Sequence, residues 1–248
     1  MSEPTSGRRR FIRQAITGSA ALGVGAGLPL ATASAAALAS APATTATPPN
    51  AAATASSPGY LFLRPAEADF VEALVDHMVP ADALSPSGTG LNINIYFDRA
   101  LGGNWGAGDR LYTEGPWHVG VPSQGYQLPL TPAELFRAGV EGTDRYADKT
   151  YGVPFARLSP ANKDALLHSL EAGHAVFDNR LDSAIVFGLF YQLVTEGMFA
   201  DPIHGGNAGK AAWQMIGFPG VIATHAQDVV QFKNKRYVSP ATSIADLA

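Results

Sequence analysis

Asp201 and His204, three residues apart in a loop, are the polar pair best placed to move a proton, one as base and the other as acid. The same two residue types also organise loops. A carboxylate accepts backbone N–H groups, an imidazole donates to a carbonyl, and the surrounding composition favours that structural use. Other constellations fall short of a reaction. His77 follows Asp76 directly, and neighbours on a helix point apart, so a surface or satisfied histidine is expected. His168 and His174 are six apart, which puts them on opposite sides of a helix, and no HExxH or His-x-His cluster exists to hold a metal. Gly205-Gly206-Asn207-Ala208-Gly209-Lys210 hints at a phosphate loop. A Walker loop would need glycine where His204 stands and a hydroxyl residue where Ala211 stands. There is no Gly-x-Ser-x-Gly elbow. Asp109, Glu114 and His118 sit in a long loop without a motif and read as solvated charges.

The loop around Asp201 is the best-defined stretch of the chain. Thr195 to Phe199 read as the last turn of a helix, and Pro202 forbids its continuation. Asp201 precedes a proline and is pushed out of the α region. Gly205, Gly206 and Asn207 tolerate positive φ, the composition of a tight loop. Ala208 to Ile216 is expected to form about two helical turns with Trp213 and Ile216 on one side. Gly217-Phe218-Pro219-Gly220 closes the segment. A loop clamped between apolar helical ends is a common place to bind something.

The 248 residues allow one domain with a sizeable core. A formal charge of −4 without a basic stripe argues against nucleic acid. Zero cysteines exclude disulfides, thiolate metal sites, iron–sulfur clusters and covalent haem on this chain. The dense cations lie at the N-terminus, where Arg8-Arg9-Arg10-Phe11-Ile12-Arg13 has the twin-arginine pattern. A Gly/Ala-rich run follows from Ala15 to Leu30, then small residues suited to cleavage. Four glycines, Thr17, Ser19 and Pro29 make that run a poor spanning helix. Residues 1–39 are read as a twin-arginine signal peptide, with Arg8, Arg9 and Phe11 as its core, and Gly23, Gly25 and Gly27 are not a nucleotide fingerprint. Its removal leaves 13 Lys and Arg against 20 Asp and Glu, a charge of −7, which favours solubility over a membrane surface. Residues 40–59 hold Ala, Thr, Ser and Pro with no large apolar side chain, and are read as a disordered leader.

Residues 60–248 are expected to form a single compact, mainly α domain with long Gly/Pro/aromatic loops. Helices are predicted from Pro65 to about Met78, from Pro132 to about Lys149 behind a Thr131/Glu134 capping box, and after Ser159-Pro160 to a glycine cap at Gly173. Leu91 to Phe97 alternates like a strand, yet Asp98 to Leu101 reads as helix, and helix is preferred. Leu181 to Phe199 is apolar nearly all round and is expected to be the central buried helix. Gly102 to Pro129 is a long loop carrying Trp105, Tyr112, Trp117 and Tyr126, of the kind that is functional or packs against a partner. The tail from Val221 has no firm pattern.

Glu196-Gly197-Met198-Phe199-Ala200-Asp201-Pro202, His204-Gly205-Gly206-Asn207, Trp213 and Ile216 to Gly220 resemble the signature of the gluconate 2-dehydrogenase subunit 3 family. Weaker likeness reaches back to about Leu61. The resemblance implies a small, cofactor-free accessory subunit of an exported FAD-dependent sugar or polyol dehydrogenase. The flavin is then on a large flavoprotein partner, and haem c, where present, on a multihaem cytochrome subunit. It implies a periplasmic address reached through the twin-arginine translocase, with any membrane association made through a partner. Glu196, Asp201, Pro202, Gly205, Gly206, Asn207, Trp213, Phe218, Pro219 and Gly220 match the signature and are assigned to the loop or to a subunit interface, and no catalytic, cofactor-binding or metal residue is assigned. The alternative is a free-standing periplasmic enzyme with Asp201 and His204 as its acid–base pair.

Overall fold

A computed structural model describes residues 59–248 except 110, 112, 113, 119, 122, 123, 222–226 and 248. The signal peptide and nearly all of the leader lie outside the described residues. Seven α-helices and no strand occur among the described residues: α1 (Pro65–Met78), α2 (Ile93–Gly102), α3 (Pro132–Tyr151), α4 (Pro160–Glu171), α5 (Ser183–Phe199), α6 (Ala211–Ile216) and α7 (Asp228–Gln231). The mainly α reading holds.

Local signals set the helix ends. Thr131 and Glu134 close their box reciprocally, the Thr131 hydroxyl accepting from Glu134 N and the Glu134 carboxylate from Thr131 N. Ser159 caps α4 through Asn162 N. At its far end His174 N donates to Ser169 O and Gly173 N to Leu170 O, with Gly173 at φ 69°, which is a Schellman closure. Asn92 takes a left-handed φ of 58° just before α2 and ends any extended run there. The alternation of Leu91, Ile93, Ile95 and Phe97 has a different cause. α2 lies between α1 and α5 and buries Asn94 and Asp98 as well as its apolar residues, so a periodicity of two carried no information about a sheet.

α5 is the hub, packing on α2, α3, α4 and α6. Its Phe190 joins Phe70 and Phe136 at ring separations of 5.3 and 6.2 Å, and Phe155 and Phe97 extend the cluster. Phe70, Phe97, Phe136, Phe155 and Phe190 are all fully buried, and tilted ring pairs of this kind add to the gain from burial. One expectation needs correcting. α5 is not buried all round: Ile185, Gly188, Gln192 and Phe199 are exposed, with Phe187 and Tyr191 half-buried beside them.

The buried Asp98 carboxylate holds the start of the domain. It accepts the backbone N–H groups of Leu61, Phe62 and Leu63 at 2.8–2.9 Å. Arg137 covers the same strap, its guanidinium 4.4 Å from the Phe62 ring centre and ion-paired with Glu67. An unpaired buried N–H costs about 1–3 kcal/mol, so Asp98→Ala is expected to lower stability by roughly 3 kcal/mol, with Asp98→Asn costing less. Urea denaturation checks this, and a loss below about 1 kcal/mol would show that water replaces the carboxylate freely.

Candidate functional site

The stretch from Glu196 to Gly220 begins where α5 ends. A helix leaves its last carbonyls without partners, and here two side chains from the far side of the loop supply them. The Trp213 indole N–H donates to Phe199 O at 2.8 Å, and the Asn207 amide donates to Ala200 O at 3.1 Å. Asn207 is wholly buried, and its own amide oxygen accepts from Ala212 N at 3.0 Å, so one side chain joins the end of α5 to the first turn of α6. Ala208 N donates to Leu91 O, which ties the loop to the chain two residues before α2. Phe218 meets Trp213 edge-on at 5.1 Å. Trp213 is 5% exposed within the chain's own fold.

The two glycines do different work. Gly205 sits at φ 103°, where a Cβ is strained. Gly206 has no positive φ, which corrects the expectation for it. Its requirement is contact, because a Cβ there would stand 2.1 Å from Gly197 O on α5. Positive φ passes instead to Asn207, Gly209 and Lys210. That breaks the expected two-turn helix: a 3-10 turn (Ala208–Lys210) precedes α6, and only Ala211–Ile216 is α-helical. Ile216 is consequently on the exposed side, 56% accessible, rather than sharing the buried side with Trp213.

Asp201 and His204 are not hydrogen-bonded to each other among the described residues. Asp201 Oδ1 accepts from Ile203 N and Oδ2 from Ile244 N. Among the described residues the exposed His204 imidazole makes neither a bond to Asp201 nor the expected bond to a carbonyl. Glu196 is engaged too, accepting from the Tyr96 hydroxyl and from Gln192 at 2.9 and 2.8 Å. Burial first, then the Glu196 carboxylate, pushes the Tyr96 phenol above its ordinary value of 10. Pro202 opens a 3-10 turn (Pro202–His204), and Pro219 and Gly220 lead into the tail. Elsewhere Asp76 accepts from the Thr89 N–H and hydroxyl, while His77 pairs with Asp164 at 2.9 Å. The neighbours do point apart. His168 pairs with Glu171, and no group of three potential metal ligands occurs among the described residues.

The patternless tail closes on this loop. Gly220 and Thr242 form a parallel bridge, with Val221 N donating to Thr242 O and Thr242 N to Pro219 O. Gly220 has φ 89°, and a Cβ there would lie 1.9 Å from Thr242 O. Asp246 accepts from Lys210 Nζ and Ser243 N, both at 2.7 Å. Of these closures only Ser243-Ile244-Ala245-Asp246 had a legible signal, the spacing of a capping box. Tyr96 and Leu91, which hold the loop from α2, had none.

A family model described as gluconate 2-dehydrogenase subunit 3 matches residues 65–220. No curated protein and no solved structure matches the chain.

Two outcomes test the loop. Asn207→Asp keeps the shape, but it removes the donor to Ala200 and buries a charge, and a loss of about 3 kcal/mol is expected. His204→Ala should fall within about 0.5 kcal/mol of wild type in the same urea titration. Equal effects would overturn the scaffold role of Asn207. The tail closure depends on acid. Lys210, then Ser243, holds the Asp246 carboxyl down at about 2 against an ordinary 3.8. A depressed carboxylate contributes stability above pH 3.8 that is lost as pH falls toward 2. The Ser243 amide resonance should therefore titrate with a midpoint near 2, and a midpoint near 3.8 would mean that the contact is absent in solution.

Proposed function

The chain belongs to the gluconate 2-dehydrogenase subunit 3 family, and from that premise we propose that it is the small accessory subunit of an exported FAD-dependent sugar or polyol dehydrogenase. In this reading it has no reaction of its own. It escorts a flavoprotein subunit through twin-arginine export to the periplasm and stabilises it there, with a cytochrome c as a third subunit where one exists.

The observation that carries the reading is the uncovered face of α5. This is the most apolar helix of the chain, and helices apolar all round are normally buried. Ile185 and Phe199 remain 39% and 37% exposed, and the Phe187 and Tyr191 rings stack beside them at 6.2 Å. Ile203 and Ile216, on the loop that follows, are about half exposed. An apolar face of this kind on one chain suits a surface that a second chain covers. Gly188 lies on the same face with open space where a Cβ would be. A mid-helix glycine costs about 1 kcal/mol relative to alanine, a cost offset if a partner's surface approaches the backbone there. Export supports the same reading from the other end of the chain. Twin-arginine translocation moves folded proteins, and a flavoprotein has to fold around FAD before it leaves the cytoplasm. A signal with Arg8 and Arg9 on the small subunit serves both chains.

Gly188→Glu separates partner docking from folding. A Cβ at this exposed position has open space, so thermal stability should hold, while co-purification with the FAD-containing subunit should fall by about tenfold or more. Unchanged co-purification would remove α5 from the interface. Replacing Arg8 and Arg9 with Lys keeps the charge but removes the guanidinium forks. Fractionation is then expected to find both subunits in the cytoplasm. Flavoprotein found in the periplasm regardless would end the escort role, and turnover of sugars by this chain alone would favour the free-standing enzyme.

A further inference from the structure

Residues 227–238, which include α7, project from the tail and are exposed at every position except Asp228 and Tyr237. Val229, Val230 and Val238 are 75–78% accessible, and Phe232 is partly so. Lys233, Lys235 and Arg236 stand beside them, fully on the surface, and none of the three forms an ion pair among the described residues. The turn is braced at its base. Phe232 meets Tyr237 edge-on at 5.0 Å, the Tyr237 hydroxyl donates to Asp228, and Phe232, Tyr237 and Val229 line a shallow recess against Pro219.

We propose that this turn is a contact for an anionic bilayer surface. The pattern is that of an interfacial anchor: exposed small apolar side chains that can enter the acyl boundary, aromatic residues beside them, and cations whose long stems reach phosphates. The overall negative charge of the chain does not oppose it. Charges beyond about 8 Å are screened at physiological salt, and residues 227–238 themselves carry three cations against the single carboxylate of Asp228, which is engaged with Tyr237. The same features fit a protein partner less well. A protein interface needs about 800 Å² from each side, whereas this is a segment of 12 residues, ten of them exposed. The contact lies on the membrane surface and does not span it, since no helix among the described residues is long and apolar enough to cross a bilayer. It is also separate from the α5 face proposed for the flavoprotein.

The test is co-sedimentation of the full chain with vesicles of phosphatidylglycerol in phosphatidylcholine, and with vesicles of phosphatidylcholine alone. Arg8, Arg9, Arg10 and Arg13 are all replaced by Gln throughout, so that N-terminal cations do not contribute. Binding to the anionic vesicles is expected, together with its loss at about 0.5 M salt. The triple variant Lys233→Gln/Lys235→Gln/Arg236→Gln should bind at least about tenfold more weakly, the order expected for cations at an anionic surface. Val229→Asp/Val230→Asp should weaken binding while leaving the melting temperature unchanged, because both residues are exposed. No binding, or equal binding to neutral vesicles and by the triple variant, overturns the proposal. So does a triple variant that keeps vesicle binding but loses the flavoprotein, because the turn then belongs to a protein interface.

Discussion

A helix that must stop in the middle of a protein leaves a row of carbonyls facing whatever comes next, and α5 stops because Pro202 cannot continue it. Water would satisfy those carbonyls at a surface. Here Trp213 and Asn207 do so from the opposite wall of the loop, and each can reach only if the chain reverses within a few residues. That single need accounts for most of the signature. Gly205 makes the reversal, Gly206 lets the backbone lie against Gly197, and Asn207 takes a left-handed φ that asparagine tolerates better than most residues. Phe218 then closes over the Trp213 ring. Apart from His204, the polar side chains of the loop are consumed in holding this shape.

The parts of the fold legible in the sequence are those decided by neighbours in the chain. Thr131 and Glu134, Ser159 with Pro160, and Gly173 announce their helix ends because cap and helix lie within four residues of each other. What escaped was decided by residues far apart. Asp98 looks like any helical aspartate until Leu61 to Leu63 are brought to it from 35 to 37 positions away. Gly206 was read as a torsional glycine, because local composition cannot reveal that Gly197 O lies where a Cβ would go. Ile216 was placed on one side with Trp213 within a helix expected to start at Ala208, and the left-handed Gly209 and Lys210 moved that start by three residues. The tail had no readable pattern for the same reason, since its partners Asp201, Lys210 and Pro219 belong to another segment.

Hydrophobic patterning was informative in an unexpected way. The run from Leu181 to Phe199 has a composition suited to complete burial, yet the fold covers only part of it. Composition reports the environment in which a sequence works, and the coordinates of one chain report only the environment which that chain supplies. For a subunit the two differ at its interfaces, and the residual is an apolar stripe with no internal explanation. Gly188 adds to it, because a glycine in a helix with open space above it is unfavourable for the free chain.

The loop also settles how the exposed features of the molecule are related. Asp201 faces two ways, its Oδ1 shaping the turn after α5 and its Oδ2 holding Ile244. Lys210, two residues after the start of its 3-10 turn, binds Asp246, and Gly220 pairs with Thr242. Through Pro219 the turn at residues 227–238 rests against the same structure. The end of α5, the loop and residues 242–246 of the tail are therefore joined in one small frame held by hydrogen bonds. That explains why so many side chains with chemical potential are committed to holding backbone.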